Sequence, residues 1–251
     1  MRRNKNITSV VVSILTFVII IALGFASCKK ESNDSPTPGG GSDSPDPVNG
    51  ELPESVLPAE LYEAISEHFV IYSGDDPVKA EGQFVSKPHA LIATSLDPEY
   101  DINDSAIFYN DRYICFDINS SGYTDFYGKQ WDDDYEQYYE ETFRNLKSVG
   151  SDDNFTCYYF TYGYPDGMYA KQSTIFSGRW DESYGGLLDF QVAVILLETS
   201  GNPNLEPKNS YRILGDYDGL AQDTAWMGKK AQFDNNINVS EHDAFWMFRK
   251  K

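Results

Sequence analysis

The feature that most constrains this fold is the hydrophobic period of the chain after its first eighty residues. From Glu81 onward, apolar and aromatic residues recur at alternate positions in short segments separated by Gly, Pro, Asn and Asp. This alternation is typical of half-buried β-strands. We therefore expect at least seven strands, in "EGQFVSKPHALIATSL", "AIFYNDRYICFDI", "NFTCYYFTY", "MYAKQSTIFSGRW", "LLDFQVAVILLET", "NSYRILGD" and "AFWMFRKK".

The order of these segments predicts an antiparallel architecture. The clearest hairpin joins "NFTCYYFTY" to "MYAKQSTIFSGRW", because residues 164–167 (Tyr-Pro-Asp-Gly) between them favour a turn. The mostly sequential, hairpin-like order favours a single lipocalin-like β-barrel, and a β-sandwich is the alternative. The predicted fold class is mainly β, with one or two short flanking helices.

Two segments have a helical pattern. In "LPAELYEAISEHF", Leu61, Ile65 and Phe69 fall on one face at fourfold spacing. In "WDDDYEQYYEETFRNLKSVG", acids occupy the first half and basic residues the last turn, which matches the helix dipole. An apolar stripe supports the second helix, formed by Trp131, Tyr135, Tyr138, Tyr139, Phe143 and Leu146.

The N-terminus has the layout of a secretory signal over residues 1–27. A basic start precedes an almost unbroken apolar run from Val10 to Ala26, which ends in small residues. Phe25-Ala26-Ser27-Cys28 resembles a bacterial lipobox. The resemblance implies cleavage before Cys28 and acylation of this cysteine, with several acyl chains anchoring the protein to a membrane. An uncut transmembrane anchor and an ordinary signal peptide are the alternatives.

We expect residues 28–50 to form a disordered, lipidated tether, because they contain many Ser, Pro, Gly and Asp and no large apolar residue. Residues 51–251 form the predicted globular domain. Removal of residues 1–27 takes away three basic residues and no acid, so the formal charge moves from −19 to −22. This charge argues against nucleic acid as a partner.

Two internal features bear on chemistry. Cys115 and Cys157 lie in predicted strands, and we expect both to be free, buried thiols.

The spacing of a calcium-binding loop is present at Asp117, Asn119, Ser121 and Asp125, but Gly128 replaces the glutamate expected at the twelfth position. A polar turn is the alternative. No cofactor is predicted apart from this calcium option, and no catalytic motif with histidine or serine is present.

Two further stretches carry a family resemblance. "VIYSGDDPVKAEGQFVSKPHAL" and "SGNPNLEPKNSYRILGDYDGLAQDTAW" resemble segments of uncharacterised lipoproteins of gut Bacteroidales. The resemblance covers patches of residues 60–226. It implies a lipidated envelope protein with a β-rich domain, and it implies no activity.

These observations lead to one principal hypothesis and two alternatives. We expect a non-enzymatic lipoprotein of the cell envelope, anchored in the outer membrane through Cys28, that binds a glycan or small ligand at the barrel mouth. Eighteen Tyr, fifteen Phe and four Trp support this hypothesis, because aromatic faces stack on sugar rings. The alternatives are a structural component of a surface assembly, which would bind a protein partner, and a carboxylate-based glycoside hydrolase.

Overall fold

The computed structural model describes residues 44–79, 81–121, 123–133, 136–224 and 248. These residues form one helix, one 3₁₀ turn at Pro165–Gly167 and eleven strands. No described helix is long and apolar enough to span a membrane. The elements are α1 (Ala59–Ser66), β1 (Gly82–Ser86), β2 (His89–Thr94), β3 (Phe108–Tyr109), β4 (Arg112–Ile118), β5 (Thr124–Asp132), β6 (Gln137–Val149), β7 (Asn154–Gly163), β8 (Ala170–Asp181), β9 (Gly186–Glu198), β10 (Tyr211–Asp216) and β11 (Leu220–Asp223).

Eight of the described strands close into an antiparallel barrel. The order around the barrel is β11-β1-β4-β5-β6-β7-β8-β9, and pairing between β9 and β11 closes it. The fold is therefore a barrel and not a sandwich. β9 is the most apolar strand and also the branch point. Its residues 186–188 pair with β11, whereas residues 191–195 pair with β10, which extends the sheet through β2 to β3.

Alternation along the strands separates two hydrophobic cores. The first core fills the barrel with aromatic rings, among them Phe116, Phe126, Phe143, Phe155 and Phe176. The second core covers the outer face of β7–β10, where α1 and its flanking residues pack against the opposite side chains of the same strands. The predicted helix of "LPAELYEAISEHF" is confirmed, and it supplies Ile65 and Phe69 to this outer core.

The helix predicted for residues 131–150 is wrong. This segment contains the end of β5 and all of β6, which pair as a hairpin with Trp131 opposite Tyr138 and Phe126 opposite Phe143. The apolar stripe misled the prediction because a carboxylate, Glu141, occupies an inward-facing strand position next to Phe143. Tyr135, also part of that stripe, lies outside the described residues.

Two predicted strands are each divided in the structure. Lys87-Pro88 separates β1, a barrel strand, from β2, which belongs to the extension. Asn110 and Asp111, which belong to neither strand, separate β3 from β4. The hairpin of β7 and β8 is confirmed, with Thr161 opposite Gln172 in its register. The predicted C-terminal strand lies outside the described residues, except for Phe248, which is buried in the barrel core.

Contacts with the barrel begin before the predicted domain start at residue 51. The hydroxyl of Ser44 accepts a hydrogen bond from the backbone N–H of Phe160 (3.1 Å). The hydroxyl of Tyr158 donates to the carbonyl of Pro45 (2.8 Å), and Asp46 forms a salt bridge with Lys147 (2.7 Å). The signal segment, Cys28 and the tether up to residue 43 lie outside the described residues, so those predictions stay predictions.

The prediction of two free, buried cysteines is confirmed. Cys157 faces the barrel core, whereas Cys115 lies on the opposite face of β4 from Ile114 and Phe116, which point into that core. Burial raises the pKa of the Cys115 thiol to about 11. Both thiols are therefore protonated at neutral pH and poorly nucleophilic.

Candidate ligand site at the barrel mouth

Polar side chains replace the aromatic core at one end of the barrel, where β5 and β7 end and β6 and β8 begin. We call Gln130, Glu141, Thr161 and Gln172 the polar layer. Strand alternation points all four inward, because they share faces with Phe126, Phe143, Tyr159 and Phe176 of the core, respectively. Each is between 6 and 8 % exposed, so the polar layer is buried near this end of the barrel.

A buried ion pair lies at the centre of this region. Arg112, on β4, donates a hydrogen bond from its terminal guanidinium nitrogen to the Glu141 carboxylate of β6. Gly128 makes room for the carboxylate, because a Cβ atom at this position would lie 2.9 Å from Glu141 Oε1 and 2.7 Å from the Phe126 ring. Burial raises the pKa of Glu141, while Arg112 and a hydrogen bond from Tyr159 oppose this shift.

A directed chain of hydrogen bonds connects this ion pair to the polar layer. The Gln172 side-chain amide donates to Thr174 Oγ1 (3.3 Å). The Thr174 hydroxyl forms a hydrogen bond with the Tyr159 side chain, and the Tyr159 hydroxyl donates a hydrogen bond to the Glu141 carboxylate. Because Glu141 can only accept, the donors all point towards it, and the Gln172 carbonyl oxygen is left as the outer end of the chain.

A second chain lies beside Arg112, at the junction of β1, β2 and β10. His89 Nδ1 lies 2.9 Å from the Ser86 hydroxyl, which is also bonded to the Asp216 carboxylate. Burial and the nearby Arg112 charge hold the pKa of His89 well below its usual value, so its ring is neutral. The carboxylate accepts from Ser86, and Ser86 therefore accepts from Nδ1–H. This direction leaves His89 Nε2 as a bare acceptor.

Four buried polar atoms of this region have no hydrogen-bond partner within the described part of the chain. They are Arg112 Nε, Thr161 Oγ1, Gln172 Oε1 and His89 Nε2. A buried polar group without a partner costs about 1–3 kcal/mol, and natural proteins rarely leave several together. These atoms belong to strands that meet at one end of the barrel, which makes this end the candidate ligand site.

The barrel below the polar layer is packed. The Phe126 and Phe176 ring centroids are 4.4 Å apart, and Phe143 stacks on Tyr159 at 3.4 Å. The Phe143–Tyr159 stack also connects β6 to β7. The backbone pairing of these two strands in the described part of the chain is short and involves only Lys147–Val149 of β6. These packed rings fill the barrel axis and leave the end at the polar layer as the candidate ligand site.

The outer face of β4–β6 presents a different surface. Trp131 and Tyr138 are 37 % and 46 % exposed and contact each other edge to face, with centroids 5.2 Å apart. The Lys129 ammonium lies 4.7 Å from the Tyr138 ring centroid and 5.4 Å from that of Tyr113. These exposed rings could stack on a sugar, but the Lys129 ammonium beside them already contacts the Tyr138 and Tyr113 rings.

The residues of the predicted calcium loop lie at the opposite end of β4 and β5. Asp117 and Asp125 are partners in the β4–β5 ladder. Asn119 Oδ1 accepts from the backbone of Ser121 (3.0 Å), and Asp125 Oδ1 accepts from Asn119 Nδ2 (2.9 Å). No group of three or more His, Cys, Asp or Glu side chains among the described residues could hold a metal ion. These contacts favour the turn, and calcium binding stays a prediction.

The sequence patterns did not identify the polar layer. Thr161 and Gln172 lie in predicted strands, where a polar residue equally fits the solvent-facing side, and Glu141 lies in the segment with a helical pattern. One signal could identify the Arg112–Glu141 pair: Arg112 has the same parity as Ile114 and Phe116, and Glu141 has the same parity as Phe143. Charged residues on the apolar face of two strands indicate a buried pair.

Comparison of the chain with models of protein families, with curated proteins and with solved structures finds no match.

Proposed function

We propose that this protein is a lipid-anchored lipoprotein of the cell envelope, held in the outer membrane through acylated Cys28, that binds a glycan or small ligand at the mouth of its barrel. The observation that carries the binding proposal is the set of buried, unpartnered polar atoms at and directly below the polar layer. The anchoring proposal comes from the N-terminal sequence alone. No catalytic step is proposed.

The mouth supports binding better than the outer aromatic face does. At the mouth, amide, hydroxyl and carboxylate groups are fixed by strands and by their own hydrogen bonds, which is how a ligand site is preorganised. Thr161 and Gln172 are direct cross-strand partners, so their inward side chains are neighbours. A ligand that satisfies both gains affinity without ordering a flexible loop.

The binding proposal is tested with the full chain purified in detergent and a matched pair of threonine variants. Thr161→Val removes an inward hydroxyl of the polar layer. Thr142→Val removes a hydroxyl from the outward face of β6 that likewise has no partner in the described part of the chain. We expect a thermal-shift screen of sugars and small metabolites to give hits that Thr161→Val abolishes and Thr142→Val retains. Hits that survive in both variants would contradict a site at the mouth.

The anchoring proposal has an independent test. Intact mass measurement of the membrane-extracted protein should show a chain that begins at Cys28 and carries acyl groups. The Cys28→Ala variant should lose this mass increment and leave the membrane fraction. An unmodified sulfur at position 28, or retention of residues 1–27, would contradict lipid anchoring while leaving the ligand site unaffected.

A further inference from the structure

We infer that the ligand of the barrel mouth is a neutral, hydroxyl-bearing molecule of the sugar or polyol class. This inference rests on the proposed function, because it specifies the ligand of the same site. It comes from the balance of donors and acceptors that the protein leaves unused, and from the charge of the groups around them.

Within the described part of the chain, the unused groups include both acceptors and donors. Gln172 Oε1 can only accept, because it is a carbonyl oxygen, and one of the two N–H groups of the same amide donates to Thr174. His89 Nε2 is also an acceptor, because Nδ1–H is used towards Ser86. Arg112 Nε–H is the unused donor, and the Thr161 hydroxyl can both donate and accept.

An anionic ligand does not match this set. A carboxylate or a fully ionised phosphate offers acceptors only and leaves Gln172 Oε1 and His89 Nε2 without donors. The guanidinium of Arg112 would otherwise attract an anion, but the buried Glu141 carboxylate already compensates its charge. The formal charge of −19 adds a long-range repulsion against anions.

An apolar ligand does not match either, because it would leave all four atoms buried and without partners, at about 1–3 kcal/mol for each. An ammonium group offers donors to Gln172 and His89 but nothing that Arg112 Nε–H can bond to. A hydroxyl group donates one hydrogen bond and accepts others, so a hydroxyl-bearing molecule offers a partner for each kind of unused group. Water has the same property and is the competing occupant.

The test compares matched ligands on the full chain in detergent by isothermal titration calorimetry. The panel pairs neutral hexoses with the corresponding uronic acids and includes a fatty acid as the apolar probe. We expect a neutral sugar to bind, its affinity to be unchanged between low and high salt, and Thr161→Val to weaken it roughly tenfold, as expected for loss of one hydrogen bond. Thr142→Val should leave the affinity unchanged. If Thr161→Val does not fold, Gln172→Met serves in its place.

Other results separate the two levels of the proposal. A uronic acid or fatty acid that binds more tightly than the neutral sugar, and that Thr161→Val weakens, overturns the ligand class and retains the proposed function. No titratable ligand, or binding that neither Thr161→Val nor Gln172→Met affects, overturns both, and the four atoms are then satisfied by water only.

Discussion

The buried pair of Arg112 and Glu141 gives the most demanding test of the barrel interior. Replacement of Glu141 by Leu leaves the Arg112 guanidinium, which is 3 % exposed, without its carboxylate. Loss of one partner of a buried ion pair costs about 3–5 kcal/mol. The Tyr159 hydroxyl also loses its acceptor, which adds about 1–3 kcal/mol. Because a domain of this kind is stable by about 5–15 kcal/mol, Glu141→Leu should lose a large part of its stability.

Removal of both charges provides the internal control. In the double variant Arg112→Met with Glu141→Leu, no charge is left unpaired, and apolar side chains of similar length extend the aromatic core upward. Replacement of a complete buried pair by apolar residues is often neutral. We therefore expect the double variant to recover most of the stability that Glu141→Leu loses.

Urea unfolding followed by circular dichroism at neutral pH measures both variants. A second control is Asp111→Asn, which breaks the exposed Lys87–Asp111 salt bridge (2.8 Å) and should shift the midpoint very little. The reasoning is refuted if Glu141→Leu unfolds within about 1 kcal/mol of the unmodified chain, or if the double variant is as unstable as Glu141→Leu alone.

Three further predictions concern other parts of the barrel. Phe176→Ala should lower the free energy of unfolding by about 3–5 kcal/mol in urea titrations, because this fully buried ring contacts four other aromatic rings of the core. Burial, followed by a hydrogen bond shared with Asp218, raises the pKa of Asp216 from 3.8 in the unfolded chain to about 6. The contribution of this carboxyl to the free energy of unfolding is therefore complete below about pH 4 and is lost as the pH rises through 6. Because Asp218→Asn removes part of the cause of this shift, the urea midpoint of that variant should decline less over the same pH range. Cys115 and Cys157 should react with a thiol reagent only after unfolding, as counted by mass spectrometry, and rapid labelling of the native chain would contradict their burial.

The sequence was sufficient where one physical signal dominated. Alternation and turn residues located β7, β8 and the hairpin between them, since the inward positions Phe155, Cys157 and Tyr159 are all apolar or aromatic. The mostly sequential order of the strands also favoured a barrel, and the pairing of β9 with β11 confirms that the sheet closes. Fourfold spacing likewise located α1.

The sequence was insufficient where burial and polarity conflict. β6 carries Glu141 on its inward face, and this charge interrupts the alternation that would have identified a strand. The partner of Glu141 is Arg112, twenty-nine residues earlier in the chain, so no local pattern could predict that the charge is compensated. The polar layer depends on cross-strand register, such as Thr161 opposite Gln172, which is a tertiary property.

The claim that a ligand binds at the polar layer is tested most directly by amide chemical shifts of the isotope-labelled full chain in detergent during titration with a neutral sugar. We predict shift changes concentrated at Thr161, at the side-chain amide of Gln172 and at the Arg112 Nε–H, with none at the exposed Trp131 indole. Changes confined to Trp131 and Tyr138, or no change at Thr161 and Gln172 at saturating sugar, would contradict the account.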